Sequence, residues 1–318
     1  MKDVLFIKTS SLGDVIHQMP AVTEARAHLP DVRFAWVVEE AFAPLARLHP
    51  AVSEVIPVAM RRWRKALLKP STRMEVAAFR RAVRARSFDE VVDTQGLLKS
   101  ALIARVARGR RRGYDRRSIK EPLASHFYDV KHPVEWDQHA IARNRALTAA
   151  ALGYACDGPP DFGLDREALR IPGQKPYGVL LHATAQASKE WPEDNWRMLV
   201  AVLGNSGVDL MALHGNDTEH ERAMRIATVS PRVLVPLRQP LDHVARLIAG
   251  ASFVVGVDTG LLHLAAALGV PLTAIFLGSE PKLTGPMGQG PIEVLGGKGA
   301  PPSVAEVADT VKRLAGLK

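Results

Sequence analysis

The sequence predicts an α/β chain of two doubly wound, parallel-sheet domains, residues 1–160 and 161–318, on three observations. Short apolar runs rich in β-branched residues alternate with segments of helical period; this alternation runs through twice; and a stretch dense in turn residues separates the two rounds. Such alternation is the sequence form of the βαβ unit, whose strands are parallel and whose helices cover the sheet faces. Two such domains facing one another leave a cleft, where a ligand is expected.

In the first round, residues 4–8, 33–38, 55–58 and 90–93 read as strands, because apolar and β-branched side chains crowd runs too short for a helix. Residues 15–28 and 99–107 repeat apolar positions every three or four residues and read as helices. Arg80, Arg81, Val83 and Arg84 place an amphipathic helix over residues 80–86. Gly158-Pro159-Pro160-Asp161-Phe162-Gly163 and Ile171-Pro172-Gly173 break both periods, which puts the linker there. The second round has strands at Tyr177–Leu181, 209–213, 232–235, Phe253–Val257 and Leu272–Phe276, with helices near 195–203, 219–227, 241–249 and 261–268. A last helical segment, 303–314, is free to return to either domain.

With 318 residues, 47% of them hydrophobic, the chain buries a large core, and wholesale disorder is excluded. No apolar run reaches the roughly 18 residues of a transmembrane helix. Met1-Lys2-Asp3-Val4 leads straight into a strand without a leader pattern, so a cytoplasmic location is expected. The single cysteine, Cys156, rules out an internal disulfide and a thiolate metal cluster, and reads as a small buried apolar residue. The net charge of +9 is uneven: residues 1–160 hold 27 basic against 17 acidic side chains, and residues 161–318 hold 15 against 16. Ten basic residues fall within 61–86 against Glu75 alone, and eight within 105–120 against Asp115 alone. One face of the first domain should therefore attract polyanions. Nucleic acid is a poor fit, since only 6% of residues are aromatic and no recognition module's spacing occurs; an anionic substrate or membrane surface fits better. Arg61-Arg62-Trp63-Arg64-Lys65 follows the strand at 55–58, and loops at strand ends are where open α/β sheets hold ligands.

Several chemistries fall away. The first strand-to-helix turn reads Thr9-Ser10-Ser11-Leu12-Gly13-Asp14 and lacks the G-x-G-x-x-G of nicotinamide enzymes. Gly297-Lys298 has Ile292 and Gly299 where a phosphate loop needs Gly and Ser or Thr. No G-x-S-x-G, H-E-x-x-H or D-x-D occurs, so neither a cofactor nor a bound metal is expected. Two turns remain, one per domain. Val257-Asp258-Thr259-Gly260-Leu261-Leu262-His263 follows a buried strand and opens a helix, whose free N–H groups and dipole favour a phosphate. Asp258 reads as a helix cap or a ligand contact, and His263 as a core residue or part of the site. Thr184 and Lys189, within His182-Ala183-Thr184-Ala185-Gln186-Ala187-Ser188-Lys189-Glu190-Trp191-Pro192, bring a hydroxyl and a cation suited to a diphosphate leaving group. In the first turn Asp14 reads as an N-cap or as a general base that deprotonates a sugar hydroxyl. As a carboxylate at a helix start it would stay ionised and be a modest base, so orientation must supply much of its effect.

Ile7-Lys8-Thr9-Ser10-Ser11-Leu12-Gly13-Asp14-Val15-Ile16-His17, Trp36-Val37-Val38-Glu39-Glu40, Ile56-Pro57-Val58-Ala59-Met60-Arg61-Arg62-Trp63-Arg64-Lys65, Glu121-Pro122-Leu123-Ala124-Ser125, Leu181-His182-Ala183-Thr184, Lys189-Glu190-Trp191-Pro192 and Val257-Asp258-Thr259-Gly260 together resemble the lipopolysaccharide heptosyltransferases, glycosyltransferase family 9. The resemblance runs in order from the first strand to about Gly278; the Gly/Pro-rich stretch 281–302 matches little. It implies a glycosyltransferase B-type fold, two facing Rossmann-like domains. The first would bind the acceptor and the second the ADP-sugar. It also implies metal-independent, inverting transfer of L-glycero-D-manno-heptose from ADP-heptose to the Kdo of Kdo-lipid A, the first heptose of the inner core.

Matched position by position, the resemblance makes Asp14 the catalytic base. Thr184 and Lys189 become donor-phosphate contacts, Asp258, Thr259 and Gly260 the nucleotide loop, and Glu219 a ribose contact, with Ala185 and His263 in the same donor set. Arg61, Arg62, Arg64 and Lys65, together with Lys8, Ser11, Gly13 and Lys120, become the acceptor set, which would give the lopsided charge a purpose. Ala185 stands where a second threonine is frequent in the family, and Lys120 where an arginine is common. Two rivals are weighed: the family member that adds the second heptose, against which the Lys8–Ser11 turn and the 61–65 run speak, and a non-catalytic anionic-lipid binder, against which intact Asp14, Lys189 and Asp258 speak. Without an anchor segment, contact with the cytoplasmic face of the anionic inner membrane would be peripheral and weakened by salt.

Overall fold

A computed structural model describes residues 2–278 and 280–317 of the chain. Contacts group into two units, Met1–Gly163 and Leu164–Lys318. The first runs β1 (Asp3–Ile7), α1 (Leu12–His28), β2 (Arg33–Glu39), α2 (Ala43–Ala46), β3 (Val52–Val58), α3 (Met60–Trp63), α4 (Pro70–Arg84), β4 (Ser87–Asp93), α5 (Leu98–Val106), β5 (Arg108–Tyr114), β6 (Val130–His132) and α6 (Ala140–Leu152). Its sheet is parallel throughout, in the order β3-β2-β1-β4-β5-β6. The central β1 is apolar on both faces because both are covered: Leu5 and Ile7 pack with Phe79, Val83 and Ile103 of α4 and α5, while Phe6 stacks on Phe34 at 5.6 Å. On that second face α1 lies against α6, which ends at Gly153 in the left-handed conformation, φ +82°.

The second unit runs α7 (Arg166–Leu169), β7 (Tyr177–Leu181), α8 (Glu193–Asn205), β8 (Asp209–Ala212), α9 (Asp217–Ala227), β9 (Val233–Leu234), α10 (Leu241–Gly250), β10 (Phe253–Val257), α11 (Gly260–Ala267), β11 (Leu272–Phe276), β12 (Ile292–Gly296) and α12 (Val304–Ala315). Its sheet is again parallel, in the order β12-β11-β10-β7-β8-β9. Counted from its own first strand, each unit has the order 3-2-1-4-5-6, in which the direction of strand addition reverses between the first and fourth strands, all strands staying parallel. The crevice outside the strand ends at that reversal is where open sheets of this kind hold ligands.

This is the two-domain α/β architecture the sequence predicts, with differences in detail. The final helix α12 packs on α8 and beside β10 and β11, within the second unit. Helix α4 begins at Pro70, a favoured first helical residue, ten positions before the arginine-rich segment read from the sequence. Residues 61–63 belong to the one-turn helix α3 rather than to an open loop. The weakly matching 281–302 stretch contains β12. Cys156 is exposed, not buried: its Sγ lies 3.6 Å from Glu24 Oε2, in the tail that follows α6.

Candidate active site

At the first unit's reversal point, the turn from β1 to α1 meets the end of β4. Gln95 Oε1 accepts from the backbone N–H groups of Thr9 (2.9 Å) and Ser10 (3.1 Å), and Lys99 Nζ donates to Ser10 Oγ at 3.0 Å. Ser11, not Asp14, is the residue that caps α1; Asp14 stands three positions in, half-buried. Ser11 N (2.6 Å) and Ser11 Oγ (3.0 Å) both donate to Asp14 Oδ2. Such a carboxylate satisfies free N–H groups at the helix start and is itself oriented by them.

Lys8 and Gly13 flank this turn and are buried. Lys8 Nζ donates to the carbonyl of Thr94 (2.8 Å) and to Asn144 Oδ1 (3.1 Å), which places this expected acceptor contact in a buried position behind the turn. Burial pushes its ammonium below the usual lysine range, while the Asp14 and Asp93 charges oppose that fall. Asp93, fully buried at the end of β4, is pushed upward by desolvation although Tyr128 Oη (2.8 Å) and Gln95 N (2.9 Å) donate to it.

The basic run at the end of β3 is less uniform than its sequence suggests. Arg61 donates its backbone N–H to Glu39 Oε1 (3.0 Å), and its guanidinium sits 5.2 Å over the Phe42 ring. Arg62 is held by Glu40 (3.0 and 3.0 Å) and Glu75 (2.9 Å), and these carboxylates raise it above the ordinary arginine range. These pairs are solvent-exposed, and the guanidinium keeps about half of its surface open. Arg64, Lys65 and Lys120 are exposed.

In the second unit, the loop after β7 meets the loop after β10, again at the reversal point. Lys189 Nζ lies 2.6 Å from Asp258 Oδ2, Thr184 Oγ1 donates to the Asp258 carbonyl at 2.9 Å, and buried His263 holds Nε2 4.0 Å from Asp258 Oδ1. Thr259, not Asp258, is the residue that caps α11, and Gly260 is its first residue. The arrangement sets a cation beside a helix N-terminus, a pair that attracts a phosphate. Ala185 is exposed on the same loop. Glu219 stands one strand over, at the start of α9, where Gly215 N (2.6 Å) and Asn216 Nδ2 (2.7 Å) donate to its carboxylate. With Ala183, Thr218 and Arg222 it lines a hollow of about 450 Å³.

Sequence reasoning missed Gln95, Lys99 and Asn144, which hold the Asp14 turn, and Arg222, which pairs with Glu190 at 2.6 Å. The signal for Gln95 was the Val91-Val92-Asp93-Thr94-Gln95-Gly96 strand end, a fourth-strand loop of the same kind as 257–260. Glu24, His28 and Asp157 offer metal-ligating atoms within 4.8 Å of one another, but Glu24 is already bound by Arg145 through two bonds of 3.0 Å. Among the described residues no helix is long and apolar enough to cross a membrane.

The family profile described as glycosyltransferase family 9 (heptosyltransferase) matches residues 76–310. Lipopolysaccharide heptosyltransferase 1 of Salmonella typhimurium is 46% identical over 292 residues, covering 90% of this chain and 92% of that protein. Among solved structures, E. coli heptosyltransferase WaaC with ADP superposes with a TM-score of 0.93 at 41% identity, over 98% of this chain and 99% of that one. The same enzyme with ADP-2-deoxy-2-fluoro heptose gives 0.88, again at 41% identity, over 98% of each chain.

Proposed function

Since the chain belongs to glycosyltransferase family 9, the heptosyltransferases, we propose that it moves L-glycero-D-manno-heptose from ADP-heptose to the Kdo of Kdo-lipid A. It is a glycosyltransferase of lipopolysaccharide core synthesis, with a nucleotide sugar as donor. The observation that supports the donor side of this reading is the Lys189–Asp258 pair at 2.6 Å beside the start of α11, a cation at a helix N-terminus that suits the diphosphate of a departing nucleotide. The near full-length likeness to an enzyme named for the first heptose supports that step over the second.

In this reading the donor diphosphate lies against Lys189, Thr184 and the N–H groups of Thr259 and Gly260, while Glu219 meets the ribose. Asp14 Oδ2 is held by Ser11, and Oδ1 takes the proton of the acceptor hydroxyl. As that proton leaves, the hydroxyl oxygen bonds to the anomeric carbon of heptose from the side opposite ADP. The carbon–oxygen bond to the diphosphate breaks, its electron pair leaves with ADP, and the configuration inverts. Lys189 and the α11 dipole balance the charge that develops on ADP, a role elsewhere given to a metal ion. Arg61, Arg64, Lys65 and Lys120 would meet the carboxylates and phosphates of the acceptor.

The test is ADP release from ADP-heptose by the purified protein, with and without Kdo-lipid A and in EDTA. Release that needs the acceptor and survives EDTA is expected; release abolished by EDTA would overturn the metal-free mechanism. Asp14→Asn is expected to lower kcat by about 10²–10⁴, and full turnover in that variant would remove Asp14 as the base. For the peripheral membrane contact, co-sedimentation with anionic vesicles should fall as salt rises, and salt-insensitive binding would count against it.

A further inference from the structure

A hollow of about 940 Å³ opens between α4, α5 and residues 60–67, entirely within the first unit. Its floor is apolar, formed by buried Trp63, Phe79 and Ile103, and its rim is cationic, with Arg64, Arg80, Arg84 and Arg105. Trp63 is fixed as a wall by the bond from its Nε1 to Glu75 Oε2 at 2.7 Å. Two large apolar side chains of the lining stand exposed at the mouth: Leu67 is 59% exposed and Leu102 48%. Contiguous exposed apolar surface rimmed by polar groups marks a binding surface. At the opposite end the hollow reaches Ser10 and Lys99, the residues bonded to each other at the turn that carries Asp14. Across α4, a second hollow of about 580 Å³ gathers Arg73, Arg80, Arg81, Arg84 and Arg108, with no acidic side chain in its wall; Arg80 and Arg84 line both.

An aromatic ring can stack on a sugar, but a floor that joins Trp63 and Phe79 to aliphatic side chains suits hydrocarbon better than a charged sugar, and an acyl chain has no use for five arginines. One molecule needs both. We propose that the α4–α5 hollow receives an acyl chain of the anionic lipid acceptor while the arginines on α4 hold its phosphates. The inference rests on the reading above that the acceptor is a lipid-linked anion. The chain then lies along the same cavity that ends at the Asp14 turn, so burying it registers the sugar end of the lipid on the base. Arginine suits this rim because its planar fork binds phosphate oxygens in pairs and its stem covers apolar surface.

The experiment uses the whole protein and two readouts. The first is tryptophan fluorescence on titration with a monomeric lysophosphatidate whose chain carries two bromines, which quench an indole on contact. Quenching is expected in the native protein and is expected to vanish in Trp63→Phe. Leu102→Gln, at a half-exposed position where folding tolerates the change, should raise the half-quenching concentration about tenfold, the loss expected for one leucine side chain. The second readout is the ratio of kcat/KM for acylated over fully deacylated Kdo-lipid A, which Leu102→Gln should lower about tenfold. Heptose transfer to the acylated acceptor with no Trp63-dependent quenching and an unchanged ratio would overturn the chain site and leave the enzyme reading standing. Trp63-dependent quenching without transfer to any Kdo-bearing acceptor would support the chain site and overturn the enzyme reading.

Discussion

The ion pair proposed to share a ligand is built differently from one that is closed within the fold. Arg145 and Glu24 are both nearly buried and exchange two bonds of 3.0 Å, whereas Lys189 and Asp258 keep 21% and 14% of their side-chain surface in solvent and make one contact of 2.6 Å. A lysine has three donors, so Lys189 can hold Asp258 and a phosphate oxygen together. Lys189→Ala removes the cation and leaves a carboxylate beside an arriving diphosphate. It should cost about 10²–10³ in kcat/KM for ADP-heptose. Removing Asp258 as well should cost less than the two single losses added, because the repelling charge goes with it; strictly additive losses in steady-state kinetics would show that the pair does not act as a unit. Asp14, Lys189 and Asp258 could be proposed from the sequence because each sits in a short motif at a strand end. Gln95 and Asn144 were not, since Gln95 reaches Thr9 across 86 positions and Asn144 reaches Lys8 across 136. Nothing in a local pattern encodes a partner at that distance.

Elements whose apolar side chains carry the packing were readable from periodicity, as Tyr177–Leu181, Phe253–Val257 and Leu272–Phe276 are, each buried throughout. Strand β5 was not, because its sequence, Arg-Gly-Arg-Arg-Arg-Gly-Tyr, offers charge where a strand normally offers apolar alternation. Neighbouring strands and turns supply the compensation: Arg112 pairs with Glu90 of β4 at 2.5 Å, and Arg111 with Asp129 at 2.5 Å. Short β6, with three residues, gives too little period to detect, whereas β9, of two, lies within the apolar run 232–235 read as a strand. Gly113 in β5 shows what the element is for. A Cβ there would fall 2.3 Å from the Tyr128 ring, and that tyrosine is buried with its hydroxyl on Asp93. Gly113→Ala should displace the ring, loosen the Asp93 end of β4 and cost about 1–3 kcal/mol. In thermal unfolding this corresponds to a fall of roughly 2–4 °C per kcal/mol for a unit of this size. An unchanged Tm would mean that the ring moves aside freely and that β5 is not braced through Tyr128.

Across the whole molecule, each unit carries a buried histidine whose ring is held neutral. His49 in the first unit accepts from Ala51 N on Nδ1 (3.2 Å), has Thr23 Oγ1 3.0 Å from Nε2, and is lowered to about 4, chiefly by burial. His182, at the end of β7 in the second unit, is lowered to about 4 by burial and then by the charges of Arg222 and His214. In the unfolded chain both rings titrate near 6.5. Between 6.5 and about 4 the unfolded state therefore binds the extra proton, and stability must fall as pH falls through that window. Above 6.5 both states are neutral at these sites and the histidines contribute no slope. One histidine shifted this far accounts for about 1.4 kcal/mol per pH unit within the window, so each unit should lose about 3 kcal/mol on going from pH 7 to pH 4. Chemical denaturation at pH 7, 5.5 and 4.5 measures this directly, with tryptophans in both units reporting, Trp36 and Trp63 in one and Trp191 and Trp196 in the other. His49→Gln should flatten the slope of the first unit and leave that of the second. A slope unchanged by His49→Gln would assign the acid sensitivity of that unit to another imidazole, such as His132 of β6, which burial and then the Arg112 charge hold below the usual range.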